Sequence, residues 1–208
     1  MANNQIDLAS LFSLVTKKLS TKKEQFNKAD DYNHNHGDNM VEIFRVITQA
    51  MEAKQGKNPA DQLEYAAQLL RNKESGSAQV YALGLAQAAK EFTGREVTKD
   101  NALQLVQSLL SGGEAAAEKS GGSSLGSLVG SLLGNQGASP DDEGLDAGDL
   151  LNAGMAFMAA KERGDSNVDA LVDAVISGSA MGGSEHRSQS SRLVLSTIMD
   201  LVSSGARK

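Results

Sequence analysis

Apolar residues in this chain recur at the spacing of a helix and almost nowhere at the alternating spacing of a strand. Leu8, Leu11, Phe12, Leu14, Val15 and Leu19 fall on one side of a 3.6-residue repeat, which predicts an amphipathic helix over 5–27. Met40, Ile43, Phe44, Val46, Ile47 and Met51 form a second stripe, with Asp38 or Asn39 available as its N-cap. Asn58-Pro59 opens a third helix, a capping residue followed by proline in the first turn, where its missing N–H costs nothing. Ser75-Gly76-Ser77 breaks the chain and starts a fourth helix over 77–92, which Gly94 ends. Thr98 opens a fifth, carrying Leu103, Leu105, Val106 and Leu109, and 145–163, 166–177 and 189–204 read as three more.

Composition agrees with a helical core. Apolar residues make up 40% of the 208, but aromatics only 4%, so the interior must be built from Leu, Ala, Val, Ile and Met. Two prolines interrupt it. The expected fold is all-α, an antiparallel helical bundle formed by one domain over 1–208. Residues 111–144, rich in Gly, Ser and Ala, read as an insertion. Within it Leu125, Leu128, Val129, Leu132 and Leu133 mark a short amphipathic helix at 123–134. Gly126, Gly130 and Gly134 repeat four apart on another face, where a second backbone fits closely. That segment is the candidate interface for a protein partner or for self-association, the alternative being a helix folded back on its own bundle.

Several functions are disfavoured by what the chain lacks. Net charge is −6 and no basic stripe gathers phosphates, so nucleic acid is not an expected partner. There is no cysteine for a disulfide, a thiolate metal site or a thiol nucleophile. No apolar run approaches the roughly 20 residues that cross a bilayer, and the amino terminus lacks the basic start and apolar stretch of a signal peptide. The plain expectation is a cytoplasmic protein.

One segment is chemically dense. Asp30-Asp31-Tyr32-Asn33-His34-Asn35-His36-Gly37-Asp38-Asn39 holds three aspartates, three asparagines and two of the chain's three histidines. All are oxygen or nitrogen ligands. In an extended loop His34 and His36 would point one way, Asn33 and Asn35 the other, with Asp30, Asp31 or Asp38 adding charge for a cation. A capped interhelical loop with solvated histidines accounts for the same residues equally well. His186, between Glu185 and Arg187, reads as an exposed loop histidine, the alternative being a third member of the histidine set. Tyr32 and Tyr81 are candidates to stack on a base, the favoured reading being one partly buried tyrosine at a barrel rim.

Asn35-His36-Gly37-Asp38-Asn39-Met40, following Asn33, resembles the Gly-Asp-Gly-Asp-His-Gly-x-Asn-Met signature of the DAK2 family, the nucleotide-binding L subunit of dihydroxyacetone kinase and its phosphatase-like relatives. His36, Gly37, Asn39 and Met40 match in order. Ser75-Gly76-Ser77-Ala78-Gln79-Val80-Tyr81 is similar to the family's Gly-Ala-Ser-Gly-Pro-Leu-Tyr turn, Leu145-Asp146-Ala147 to its Met-Leu-Asp-Ala, and Arg187 to the arginine of its Gly-Arg-Ala-Ser. The resemblance implies a barrel of antiparallel helices with Mg²⁺ and ATP or ADP at its open end. It implies metal contacts from Asp30, Asp31, Asn33, Asn35, His36 and Asp38, and nucleotide contacts from Gly37, Asn39, Ser75, Gly76 and Ser77.

The departures bear on activity. Where the family places two aspartates before His-Gly, this chain has Asn33 and Asn35, whose amide oxygens ligate a cation without neutralising it. His34 replaces a glycine, and the family's final Asp-Pro-Gly-Ala loop has no counterpart. The expectation is therefore a non-catalytic scaffold or interaction module with weakened Mg²⁺–nucleotide binding, and the alternative an active phosphotransferase subunit.

Overall fold

The computed structural model describes residues 5–102, 104–109, 112 and 184–204, and among them every regular element is helical. The all-α expectation holds at that level. The proposed insertion at 111–144 with its helix at 123–134, and the helices expected at 145–163 and 166–177, lie outside the described residues, Gly112 excepted.

Helix α1 (Leu8–Lys28) starts where Asp7 accepts the amide of Ser10 at 2.7 Å, and it buries Leu8, Leu11, Phe12, Val15, Leu19 and Phe26. It starts later than the periodicity predicts because Gln5 and Ile6 pair elsewhere. Gln5 bridges Thr98 in antiparallel fashion, and the Ile6 amide donates to the Val97 carbonyl at 2.8 Å. Helix α2 (His36–Ala53) buries Met40, Val41, Ile43, Phe44, Ile47 and Met51. Helix α3 (Pro59–Arg71) begins as predicted, with Asn58 accepting from Asp61 at 2.8 Å and Pro59 in the first turn. Helix α4 (Gly76–Glu91) is capped by Ser75, which accepts from Ala78 at 3.1 Å. Gly94 takes a φ of 70° just beyond it, in the left-handed region that a glycine enters without strain. Thr98 does not open a helix. It pairs with Gln5, turn residues follow, and helical structure resumes at 102 and 104–109. Helix α5 (Glu185–Ser204) starts four residues ahead of the expected 189.

Consecutive helices pack on one another from α1 to α4, while α2 also meets α4, and α5 lies against α1 and α2. Rings link three of them: Phe12 of α1 stands 6.2 Å from Phe44 of α2, which meets Tyr81 of α4 edge-on at 5.0 Å. The aliphatic remainder of this core includes Leu11, Ile47, Met51, Leu63, Leu70 and Leu85, all fully buried. Gly84 allows a close approach of the 104–109 segment to α4, because a Cβ there would stand 2.5 Å from the Leu109 carbonyl oxygen. Packing of this kind leaves the head of α2 facing the polar loop and the first turns of α5.

Candidate functional site

The polar loop is shorter than its sequence suggests, since His36 to Asn39 already belong to α2. The expected caps, Asp38 and Asn39, lie inside the helix instead. The orphan amides of its first turn are satisfied from outside that helix. The Asp30 carboxylate accepts the amides of Asn35 and His36, both at 3.2 Å on Oδ2, while its Oδ1 accepts that of Tyr32 at 3.2 Å. The Asn27 side chain, at the end of α1, accepts the amides of Gly37 at 2.7 Å and Asp38 at 3.2 Å. One carboxylate and one amide oxygen thus occupy the anion-attracting end of α2. A Cβ at Gly37 would collide with the Lys23 carbonyl, so glycine is required there by the crossing of α1 and α2.

Asp30 is 4% exposed. Burial would raise its carboxyl, but the amides of Tyr32 and Asn35, the charge of His186 and the amide of His36 outweigh that and hold it below the usual range. His36 is 5% exposed and its ring packs on that of His186, centroids 4.6 Å apart. Its Nε2 lies 2.9 Å from Ser190 Oγ. Burial, with help from the charges of His186 and Arg187 and against the pull of Asp30, drives His36 down to about 4, so the imidazole is neutral at pH 7. His186 Nδ1 stands 4.0 Å from Asp30 Oδ1, and its Nε2 is 3.2 Å from Ser184 Oγ.

The two loop histidines are therefore not a pair. His36 is buried in the first turn of α2, whereas His34 is exposed with a φ of 56°, its ring nitrogen 3.3 Å from the Asn27 carbonyl. The extended-loop argument fails because the helix begins between them. The histidine that meets His36 is His186, half-buried on α5 and not a loop residue. Both tyrosine readings are also corrected: Tyr32 is 92% exposed at the loop tip, and Tyr81 is 1% exposed in the core.

The remaining candidate ligands point to separate tasks. Asp38 pairs with Lys23 at 2.9 Å and accepts from Asn27 at 2.8 Å, which holds its carboxyl low. The Asn35 side chain accepts from Asn39 at 2.7 Å, and Asn33 accepts the Asn35 amide at 3.4 Å. Asp31 is exposed. Among the described residues no three histidine or carboxylate side chains converge in the manner of a metal site.

Of the residues carried over for nucleotide, Asn39 and Ser75 line one cleft of about 370 Å³ between α2 and the α3–α4 turn. Ile43, Val46 and Ala78 supply its apolar wall, and Lys73 reaches Glu42 across it at 2.6 Å. Gly76 and Ser77 sit in the first turn of α4, and Gly37 lies at the α1–α2 crossing. Asn27 and Ser190 were missed by the sequence reading. Each is an ordinary polar residue on a helix, and only the fold gives it a partner.

No protein-family model, curated protein sequence or solved structure matches this chain. The likeness to the dihydroxyacetone kinase subunit rests on the motif residues alone. Among the described residues no helix is long and apolar enough to cross a membrane.

Proposed function

We propose that this chain is a non-catalytic helical module on a frame resembling the dihydroxyacetone kinase L subunit, with a barrel-like arrangement of antiparallel helices and a binding role toward a protein partner or a second copy. One observation carries the reading. The Asp30 carboxylate, which would be the strongest cation ligand of the loop, spends both oxygens on three backbone amides at the head of α2. The same bonds fill the amides that would otherwise cradle a phosphate. Asn33 and Asn35 add oxygen without charge. A phosphate chain with Mg²⁺ would have to displace Asp30 and find its countercharge elsewhere.

Calorimetric titration with Mg²⁺ and ADP tests this directly. The expected result is no heat of binding up to millimolar ligand. A saturable isotherm in the micromolar range would overturn the proposal.

A second reading has its own support. Asn39 and Ser75, from motif blocks 36 positions apart, share the cleft between α2 and the α3–α4 turn. An active subunit would place nucleotide there and take its metals from Asp30, Asp31 and Asp38. On that reading Asp31→Ala abolishes phosphate transfer from ATP to a small polyol, and an unchanged rate eliminates it.

A further inference from the structure

Helix α5 is fastened to the rest of the protein in two chemically different ways. Its first residues, Glu185-His186-Arg187-Ser188-Gln189-Ser190-Ser191, include no apolar side chain. Buried apolar residues begin only at Val194 and continue with Leu195, Ile198 and Met199. The second half of the helix is thus held by hydrophobic burial, which weakens little when a single contact is disturbed. Among the described residues, the first half is held by the packing of the His186 ring on that of His36 and by three polar contacts. Gln25 donates to Gln189 at 3.4 Å, His36 meets Ser190 at 2.9 Å, and His186 stands 4.0 Å from Asp30.

The same half carries an internal cost. Ser191 and Tyr81 are each 1% exposed, and neither hydroxyl makes a hydrogen bond among the described residues. Ser191 and Tyr81 face each other, and the Ser191 hydroxyl draws the phenol down against the larger rise that burial imposes. Without a well-formed hydrogen bond the two hydroxyls are undersatisfied in the closed arrangement, and water satisfies both once the segment lifts. Against that segment lie Asp30 and His36, both almost fully buried and in contact with it through His186 and Ser190.

We infer that residues 184–191 form a lid over the Asp30–His36 pair, opening as a local unit while the apolar half of α5 stays docked. Opening admits water and small solutes to a carboxylate and an imidazole that the closed form keeps dry. Segments with few buried apolar contacts are those that open below the cost of global unfolding. The inference does not depend on whether nucleotide binds in the α2–α4 cleft.

Two measurements on the full chain test it. In hydrogen exchange read by mass spectrometry, amides of 188–191 should exchange at least about tenfold faster than those of 195–199, with no dependence on low urea. In parallel, diethyl pyrocarbonate should modify His36 more slowly than exposed His34, but at a rate that low urea does not change. Ordinary end fraying would leave amides 190 and 191 as protected as 195–199 and would leave His36 unreactive until the protein unfolds; either result overturns the lid. The variant Tyr81→Phe, which keeps the ring and its packing on Phe44, should slow modification of His36 about threefold, because it removes one of the unpaired hydroxyls that favour opening. Its companion Ser191→Ala should act in the same direction. Unchanged or faster modification in both variants would remove the proposed driving force and with it the inference.

Discussion

His36 Nε2 lies 2.9 Å from Ser190 Oγ, tying the head of α2 to the second turn of α5 across 154 positions of sequence. With the Ser190 proton on the Arg187 carbonyl at 3.0 Å, the Ser190 oxygen accepts from His36, and the imidazole then carries its hydrogen on Nε2. Ser190→Ala leaves this N–H buried with no acceptor. The expected loss is about 1–3 kcal/mol in a urea titration followed by circular dichroism. A change within error would mean that the ring finds water there.

Acid should weaken the protein well before its carboxylates titrate. His36 is neutral in the fold, its pKa pushed to about 4 from an ordinary 6.5, chiefly by burial. A depressed histidine favours the unfolded chain wherever that chain alone binds the proton. Stability is therefore complete above pH 6.5 and falls as pH drops toward 4, by about 3 kcal/mol in all. Asp30 works in the same direction lower down, because its own depressed carboxyl loses its contribution as pH falls below 3.8. Urea midpoints between pH 4 and 8 should show the decline, and His36→Gln should flatten it. An equally steep profile in that variant would place the titrating group elsewhere.

Asn27 caps a helix to which it does not belong. Its oxygen accepts from Gly37 and Asp38, while its nitrogen donates to the Asp38 carboxylate at 2.8 Å. Asn27→Ala is expected to lower stability by about 1–2 kcal/mol, the usual cost of a lost cap. Asn27→Asp should recover little, since the new charge faces Asp38 while losing the amide donor. Thermal melts of the two variants make the comparison.

Gly37→Ala would improve helix propensity on an open surface. Here the added methyl meets the Lys23 carbonyl at the α1–α2 crossing. The outcome should be a net destabilisation of about 1–3 kcal/mol, as for other insertions into tight packing. A neutral or stabilised protein would show that the two helices separate freely.

Most local signals survived the passage from sequence to structure, Thr98 excepted, and long-range ones did not. Asn58, Pro59, Ser75 and Gly94 each act on neighbours within a few residues, and each does what its position predicts. The start of α2 was misplaced because its caps come from the preceding helix and loop, through Asn27 and Asp30. His34 and His36 were read as a pair because alternation was assumed through a helix boundary. The burial of Tyr81 was legible in the helix face it shares with Leu85 and Ala88, although the rim reading overlooked it, and Tyr32 has no apolar neighbours in sequence. The position of His186 was not. It sits in a run without apolar residues, so no periodicity told which side would face the protein.

The short pairing of Gln5 and Ile6 with Val97 and Thr98 has a topological consequence. It brings the entry to α1 beside the exit from α4, so the four helices between them close on themselves like a clasped belt. Chain order within that belt is then a matter of where it is cut. Cutting the chain at the exposed turn around Gly56 should therefore leave two pieces that stay associated in the same four-helix packing, since the clasp still joins their far ends.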